Sequence, residues 1–269
     1  MPAVTLDNRS FISVTGEDAE DLLQGIITTD LPLVKHGEAW PGALLIGRTD
    51  SGFVLETAAL DADALIKRLT LYRLRAKVTF ERQEFGDVTL AWDEVHPEAG
   101  LHDQRFARAG IALTRVPGRG GADAVSLYRT LRFVSGISGG GEDGALNDYF
   151  PHDLLMDKNG GLSFKKGCYI GQEVVSRMQH RATARRRLVS VSADYALADP
   201  GTALFAGERE IGTLIAAEGN KGLAVIRTDK AGAAMAAGTD IMLGEQAVGV
   251  TLPAWSGLDF PQDADEAAS

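Results

Sequence analysis

Cysteine is almost absent from this sequence: Cys168 is the single one in 269 residues. One thiol cannot form a disulfide within the chain, so a small fold that depends on internal disulfides is excluded. No group of cysteines and histidines has the spacing of zinc or iron–sulfur ligands either. We therefore expect no metal site that this chain fills by itself.

Long apolar runs and an excess of positive charge are also missing. No apolar stretch approaches the roughly 18 residues that span a bilayer, and the N-terminus lacks a basic segment followed by an apolar one. We therefore expect a cytoplasmic protein without a membrane partner. The formal net charge of −10 argues against direct binding of nucleic acid, because a phosphate backbone calls for a basic surface.

The sequence does contain an unusual setting for its one cysteine. Cys168 follows Lys165 and Lys166 and lies between two glycines of the segment KKGCYIGQE, residues 165–173. From Gly171 onward the spacing of apolar residues predicts a helix. A cysteine beside lysines and just before a helix N-terminus is in a setting that favours the thiolate. The alternative is that Cys168 is a small apolar residue that fills a gap in the core.

A basic segment follows the cysteine in an otherwise acidic chain. It contains Arg177, Arg181, Arg185, Arg186 and Arg187. Two interpretations stay open from the sequence: a solvated surface, or a site for an anionic ligand.

The string KGCYIGQE followed by a basic segment resembles the signature of the YgfZ family of folate-binding proteins. That family serves in iron–sulfur cluster maturation or repair and is similar to the aminomethyltransferase of the glycine cleavage system. Residues 14–18, 28–30 and 150–152 extend the resemblance to most of the chain. The resemblance implies an α+β fold of three domains in a ring, with ferredoxin-like α+β domains and a C-terminal antiparallel β-barrel.

The resemblance also implies where the domains lie. Residues 1–48 and 112–184 would form a discontinuous folate-binding α+β domain, and residues 49–111 a shortened ferredoxin-like α+β domain. Residues 185–256 would form the C-terminal β-barrel. The acidic, alanine-rich residues 257–269 are expected to be a disordered tail.

The pattern of apolar and turn-forming residues predicts the order of the elements. A strand at residues 10–14 precedes a helix capped by Thr15, and a β-α-β-β succession typical of ferredoxin-like domains occupies residues 53–92. A helix at residues 122–131 follows. Short strands between residues 188 and 252 predict the antiparallel barrel.

Two features depart from the family pattern. The hairpin arm that the family carries between the equivalents of Leu45 and Ile46 is missing, which a surface connection tolerates at a small cost in closure entropy. Asp153 stands where the family usually has a glutamate, so its carboxylate lies on a side chain shorter by one methylene.

The resemblance implies tetrahydrofolate as the cofactor. A pterin needs carboxylates or amides as hydrogen-bond partners and an aromatic slot, and its tail needs cations. The residues available for these roles are Asp153, Gln172, Glu173, Phe150, Tyr169, Gly167, Lys166, Arg177 and Arg181. Cys168 is the candidate for chemistry, either as a soft ligand for iron or as a nucleophile toward a one-carbon unit.

Three functions stay open from the sequence. The first is a monomeric, tetrahydrofolate-binding accessory protein for assembly or repair of iron–sulfur clusters, which is not a classical enzyme. Its partners would be iron–sulfur client proteins, such as a cluster-dependent tRNA methylthiotransferase. The second is a folate-dependent aminomethyltransferase, a one-carbon transferase; residues 131–133 lack the glutamate expected of that enzyme. The third is an interaction scaffold without a small ligand.

Overall fold

The fold is described from a computed structural model, which covers residues 2–41, 44–84, 86–93, 100–139, 143, 148–180 and 185–261. The chain forms two compact units. The N-terminal unit comprises Met1–Tyr128 and Asn159–Gln172, and the C-terminal unit comprises Arg129–Lys158 and Glu173–Ser269. Both units are therefore discontinuous in sequence.

The N-terminal unit is built on a mostly antiparallel sheet of nine strands. In chain order these are β1 (Ala3–Leu6), β2 (Arg9–Thr15), β3 (Glu38–Trp40), β4 (Leu45–Thr49), β5 (Gly52–Ala58), β6 (Thr79–Arg82), β7 (Val88–Trp92), β8 (Leu101–Asp103) and β9 (Leu113–Pro117). Their order in the sheet is β1-β7-β9-β8-β3-β4-β5-β2-β6. Only β3 and β8 pair in parallel among the described strands.

Three helices pack against this sheet. They are α1 (Ala19–Ile26), α2 (Ala62–Arg73) and α3 (Gln104–Arg108). The apolar face of α1 buries Leu23 completely, and Leu23 belongs to the same hydrophobic cluster as the buried Leu55 of β5. This cluster between α1, α2 and the sheet is the core of the unit.

The predicted β-α-β-β succession is confirmed as β5, α2, β6 and β7. In the sheet, β6 lies at an edge beside β2, whereas β7 lies between β1 and β9. The helix predicted to be capped by Thr15 begins later, at Ala19. Asp18 precedes that helix, but its carboxylate accepts a hydrogen bond from the backbone N–H of Lys77 at 2.7 Å instead of capping the helix.

A continuous strand occupies the position of the missing hairpin arm. Leu45 and Ile46 are neighbours in β4 and pair with Glu56 and Leu55 of β5. Residues 42–43, just before this strand, lie outside the described residues. The shortened connection is therefore compatible with a regular antiparallel register between β4 and β5.

A buried network of ion pairs joins strands of the N-terminal sheet. The carboxylate of Glu56 accepts hydrogen bonds from Arg9 Nε at 2.9 Å and from Arg115 Nε at 2.7 Å. Asp103 accepts from Arg115 Nη1 at 3.2 Å and from Arg105 Nη2 at 2.6 Å. All five side chains are at most 9% exposed. Because they come from segments far apart in sequence, the network fixes which strands lie together.

The guanidinium groups keep both carboxylates of this network charged. Burial by itself would raise the pKa of Glu56, but Arg115 and Arg9 outweigh burial and lower it from 4.5 to about 2. Burial likewise opposes the charge of Asp103, and Arg105 and Arg115 lower the pKa of that carboxyl. Each buried anion is thus matched by cations in direct contact.

The C-terminal unit contains an antiparallel sheet of seven strands. They are β10 (Arg186–Ser192), β11 (Ala203–Ala206), β12 (Arg209–Glu218), β13 (Lys221–Arg227), β14 (Ile241–Leu243), β15 (Gln246–Ala247) and β16 (Gly249–Thr251), in the sheet order β15-β14-β11-β12-β13-β10-β16. Val189, Leu214 and Ile226 contribute to its buried core. The predicted C-terminal β domain of short antiparallel strands is confirmed.

Four more α-helices lie in the described part of the chain, besides short 3-10 helices at Leu31–Leu33 and Ala254–Ser256. The four α-helices are α4 (Val125–Val134), α5 (Met156–Asn159), α6 (Gln172–His180) and α7 (Thr228–Ala236). The apolar pattern does not predict α7, which has four alanines and Gly232 among its nine residues. A Cβ atom at residue 232 would lie 2.0 Å from the carbonyl oxygen of Pro261, so the close approach of the chain requires glycine there.

Two further expectations from the sequence concern membrane-spanning segments and the acidic C-terminal tail. Within the described ranges, no helix combines the length and apolar character needed to cross a bilayer. The acidic tail was predicted from residue 257, and residues 262–269 of it lie outside the described part of the chain.

We predict that Glu56→Gln lowers the free energy of unfolding of the N-terminal unit by about 3 to 5 kcal/mol, because two buried guanidiniums lose their shared carboxylate. The stabilising effect of Glu56 is complete above its unfolded pKa of 4.5 and is lost as the pH falls toward its folded pKa of about 2. Urea unfolding between neutral pH and pH 2 measures both effects. Glu81→Gln, at an exposed position of β6, is the matched control, and an equal change in both variants would contradict a special role for Glu56.

Candidate functional site

The cysteine lies on a loop of the N-terminal unit that is fixed to the end of α1. We call residues 163–171 the Cys168 loop. The backbone N–H groups of Ser163 and Ile170 donate to the carbonyl oxygens of Thr28 and Gly25, both at 3.0 Å. Just before the loop, the carbonyl oxygen of Gly161 accepts from the Thr28 hydroxyl at 2.5 Å. The loop is therefore held near both of its ends.

Lys166 is the central contact between this loop and α1. Its ammonium donates to the carbonyl oxygens of Ile27 at 3.0 Å and Thr29 at 2.8 Å, in the turn that follows α1. Carbonyls at a helix C-terminus lack partners within the helix and carry partial negative charge, so they suit a cation. The Nζ atom also lies 5.3 Å from the centre of the Tyr169 ring.

The environment of Lys166 disfavours its protonated, charged form. The residue is 8% exposed, and burial lowers the pKa of its ammonium to about 8, against the opposing attraction of Asp30. The family resemblance predicts that this lysine binds a folate tail. Its Nζ hydrogen bonds within the N-terminal unit point to an additional, structural task.

Cys168 itself is exposed. It does not fill a gap in the core, so the packing interpretation of this cysteine does not hold. The adjacent Gly167 is exposed too, and two large apolar side chains of the loop, Phe164 and Ile170, are 42% and 52% exposed. A buried lysine thus fixes a loop that presents a thiol and apolar side chains to the outside.

Tyr169 carries a buried hydroxyl beside the Cys168 loop anchor. The side chain is 7% exposed, burial raises the pKa of its phenol, and its hydroxyl has no hydrogen-bond partner in the described part of the chain. A buried hydroxyl without a partner costs free energy, so such an atom calls for an explanation. A ligand that supplies the missing hydrogen bond is one explanation.

The predicted helix after the cysteine is confirmed as α6. The chain turns into it through Gly171, whose φ of +85° is unfavourable for other residue types. Gln172 is its first residue, and Glu173 lies in its first turn, where a carboxylate suits the helix dipole. Arg177 is exposed on this helix, while the predicted ligand residue Arg181 lies outside the described residues.

The other predicted ligand residues lie in the C-terminal unit. Asp153 is 1% exposed, and its carboxylate accepts from the Phe150 backbone N–H at 3.1 Å and from Arg186 Nη2 at 2.5 Å. Phe150 itself is 46% exposed. Arg187 pairs with Asp157 at 2.9 Å. Two arginines of the basic segment are thus engaged in ion pairs within this unit.

The predicted ligand residues differ in their exposure. Lys166 and Asp153 are buried and already hydrogen-bonded to protein groups, whereas Cys168, Glu173 and Arg177 are exposed. The predicted ligand set also divides between the two units, and the role of each of its members stays a prediction. Among the residues that the structure describes, no group of three or more His, Cys, Asp and Glu side chains could hold a metal ion.

Sequence reasoning missed the anchoring role of Lys166 and the unpartnered Tyr169 hydroxyl. The signal for the first is weak: two lysines in a row give no indication of which one is buried. Thr28 and Thr29 are among the residues that carry the family resemblance. Their carbonyl oxygens accept hydrogen bonds from Ser163 and Lys166 of the Cys168 loop, which gives this part of the resemblance a structural reason.

Comparison with known proteins identifies relatives. Residues 185–258 match the family described as "CAF17, C-terminal beta-barrel domain". The chain is 30% identical over 275 residues to human "Iron-sulfur cluster assembly factor IBA57, mitochondrial", with 84% of this chain and 77% of that protein covered. It is 27% identical over 215 residues to the "Iron-sulfur cluster assembly factor IBA57 homolog, mitochondrial" of Pyricularia oryzae, with 68% and 55% covered.

The chain therefore spans about half the length of that fungal relative. Among solved structures, it resembles the glycine cleavage system aminomethyltransferase T from Bartonella henselae, with a TM-score of 0.63, 14% identity, and coverage of 94% of this chain and 85% of that one. That likeness supports the predicted fold and nothing more specific.

The names of the relatives correct one expectation. The absence of a signal pattern led to the prediction of a cytoplasmic location, but the matched assembly factors are mitochondrial proteins by name. These names contradict the prediction of a cytoplasmic location.

We predict that Lys166→Met loosens the Cys168 loop, because two carbonyl oxygens after α1 lose their charged donor. The free energy of unfolding should fall by about 1 to 3 kcal/mol. Hydrogen exchange should accelerate at the amides of Ser163 and Ile170. Lys165→Met, at the exposed neighbouring lysine, is the control, and similar exchange in both variants would show that Lys166 does not hold the loop.

The same lysine predicts a dependence of stability on pH. Its pKa is lowered from 10.5 to about 8 in the fold, so between these values the unfolded chain binds more protons and stability rises with pH. Lys166→Met should lack this rise in a urea titration, whereas Lys165→Met should retain it.

Proposed function

Because this chain belongs to the family of IBA57 iron–sulfur cluster assembly factors, we propose that it offers Cys168 as a ligand to a cluster that a partner protein holds. The cluster is the cargo of this process. A thiolate is a soft ligand that suits iron, and a [2Fe–2S] cluster is commonly held by four such ligands. The chain has one cysteine, so the remaining ligands come from the partner.

The exposed thiol on a fixed loop is the observation that carries this proposal. A shared ligand must be open to a second protein, and Cys168 is exposed. It must also be held in place, because ordering a flexible loop during association costs free energy. The hydrogen bonds of Lys166, Ser163 and Ile170 to the end of α1 supply that order before the partner arrives.

The surface around the thiol supports a protein partner. Phe164 and Ile170 lie on the same loop as Cys168 and expose 42% and 52% of their surfaces. Large apolar side chains at the centre of a contact bury well against a partner and exclude water from it. The proposed partners are proteins that carry or receive iron–sulfur clusters, with cluster-dependent tRNA-modifying enzymes as a candidate class of final recipient.

The proposal extends to tetrahydrofolate as a ligand. The Tyr169 hydroxyl is buried and has no hydrogen-bond partner among the described residues, so it fits a ligand group that offers a hydrogen bond. Lys166 and Asp153 already have hydrogen bonds within the protein, so their proposed task is to position neighbouring groups.

An aminomethyltransferase activity is not favoured. Residues 131–133 lack the glutamate expected of that enzyme, and the structure gives this segment a structural task. Arg132 is 2% exposed and pairs with Asp143 at 2.5 Å. The resemblance to a solved aminomethyltransferase, at 14% identity, supports a shared fold only.

We predict that Cys168→Ser abolishes formation of a cluster-containing complex while leaving the fold intact, because serine keeps the size but not the soft sulfur ligand. The full chain is mixed with a carrier protein loaded with a [2Fe–2S] cluster. Co-elution of iron and visible absorbance with the complex reports the outcome, and thermal unfolding checks the fold.

A relocated thiol is the matched control for this experiment. Ser51 is exposed in the turn between β4 and β5, so Ser51→Cys combined with Cys168→Ser restores one exposed thiol elsewhere. That double variant should fail like the single one. Cluster complexes formed equally well by wild type and Cys168→Ser would refute the ligand role.

We predict separately that Tyr169→Phe weakens tetrahydrofolate binding by about 1 to 3 kcal/mol, because a buried hydrogen bond is lost. Calorimetry with tetrahydrofolate measures it. Tyr195→Phe removes a phenol that donates to Ala247 in the C-terminal sheet and serves as control. If wild type gives no heat with tetrahydrofolate at millimolar concentration, folate binding is wrong, while the ligand role of Cys168 stands or falls on its own experiment.

A further inference from the structure

A cavity of about 250 Å³ lies in the N-terminal unit between the end of α1, the helix α2 and strands β4 and β5. Its walls are predominantly apolar. Ile46 and Leu55 from the strands form its buried side, and Ile27 from the turn after α1 is half-buried. None of the residues assigned above to folate or to the cluster lines it.

One face of α2 forms the remaining wall. Leu65, Arg68, Leu69 and Tyr72 all line the cavity, and their spacing of three and four residues places them along one side of a helix. Leu69 is 5% exposed, whereas Leu65 and Tyr72 are half-buried and Arg68 is exposed. The cavity is thus apolar in its depth and opens to solvent beside Arg68.

Arg68 and Tyr72 are the polar side chains of that face. Within the part of the chain that the structure describes, neither the guanidinium of Arg68 nor the hydroxyl of Tyr72 has a hydrogen bond or an ion pair. They are one helical turn apart, so both can reach the same group at the opening. The other two polar residues of the lining, Thr28 and Thr29, already donate their hydroxyl protons to Gly161 and Pro41.

We propose that this cavity binds an amphipathic monocarboxylate, with the apolar body inside and the carboxylate at Arg68 and Tyr72. A guanidinium presents two parallel donors that match a carboxylate, and a phenol adds a third. A single cation at the opening matches a single negative charge. An apolar cavity of about 150 Å³ holds benzene, so this larger one accommodates a chain of roughly eight carbons or a two-ring aromatic body.

The cavity shares a wall with the anchor of the Cys168 loop. Ile27 and Thr29 line the cavity, and their carbonyl oxygens accept hydrogen bonds from the ammonium of Lys166. A ligand that fills the cavity therefore restricts the segment to which the loop is attached. Slower hydrogen exchange at the amide of Ile170 should accompany binding.

The experiment titrates the full chain with octanoate and, in parallel, with octan-1-ol, using calorimetry. Octan-1-ol has the same apolar body without the charge, so it should bind about three- to tenfold more weakly, a range that allows for solvent screening at an exposed arginine. Arg68→Gln should reduce octanoate to the affinity of octan-1-ol and leave octan-1-ol unchanged. Lys67→Gln, an exposed neighbour that does not line the cavity, should change neither.

A second variant tests the apolar part of the site. Leu65→Trp adds bulk to the half-buried wall and should abolish binding of both probes, with hydrogen exchange of the remaining unit checking that it is folded. If that variant does not fold, the comparison of Arg68→Gln with Lys67→Gln decides alone. No saturable binding of octanoate, equal affinity of wild type for the two probes, or equal losses in Arg68→Gln and Lys67→Gln would each overturn the proposal.

Discussion

The ammonium of Lys166 is the contact on which the candidate site depends. It joins a loop late in the sequence to the turn after α1, and it does so through carbonyl dipoles instead of a carboxylate. The loop can therefore hold Cys168 at the surface while its own backbone stays ordered. Without this contact, the exposed thiol and the neighbouring apolar side chains would lie on a loop held only by backbone and hydroxyl hydrogen bonds.

Glu56 and Lys166 are both buried in the N-terminal unit, and the groups in contact with each one decide whether it stays charged. Glu56 faces full positive charges on Arg9 and Arg115, and their attraction exceeds the effect of burial, so its pKa falls to about 2. Lys166 is held mainly by neutral carbonyl groups, and burial exceeds the attraction of Asp30, so its pKa falls to about 8. The first residue keeps a fixed charge at every ordinary pH, whereas the second is close to losing its charge in mildly alkaline solution.

The sequence predicted the local features well and the distant contacts poorly. The helix after Cys168, the β-α-β-β succession and the C-terminal strands follow from periods of two and 3.6 residues, and the YgfZ resemblance identified the broader family, although the matched relatives are IBA57 proteins. The partners of Lys166 are 137 and 139 residues away, and no local period reports such a distance. For the same reason, the sequence did not predict the ion pairs around Glu56 or the cavity lined by α2.

Because the N-terminal unit is discontinuous in sequence, it cannot be completed early during synthesis on the ribosome. The unit needs Asn159–Gln172 as well as Met1–Tyr128, so a nascent chain that has emerged only to Tyr128 leaves the carbonyl groups after α1 without Lys166. Domains generally fold as units during synthesis, and incomplete ones expose apolar surface. The segment that completes the unit also carries the thiol, so Cys168 reaches its ordered position only when the unit around it closes.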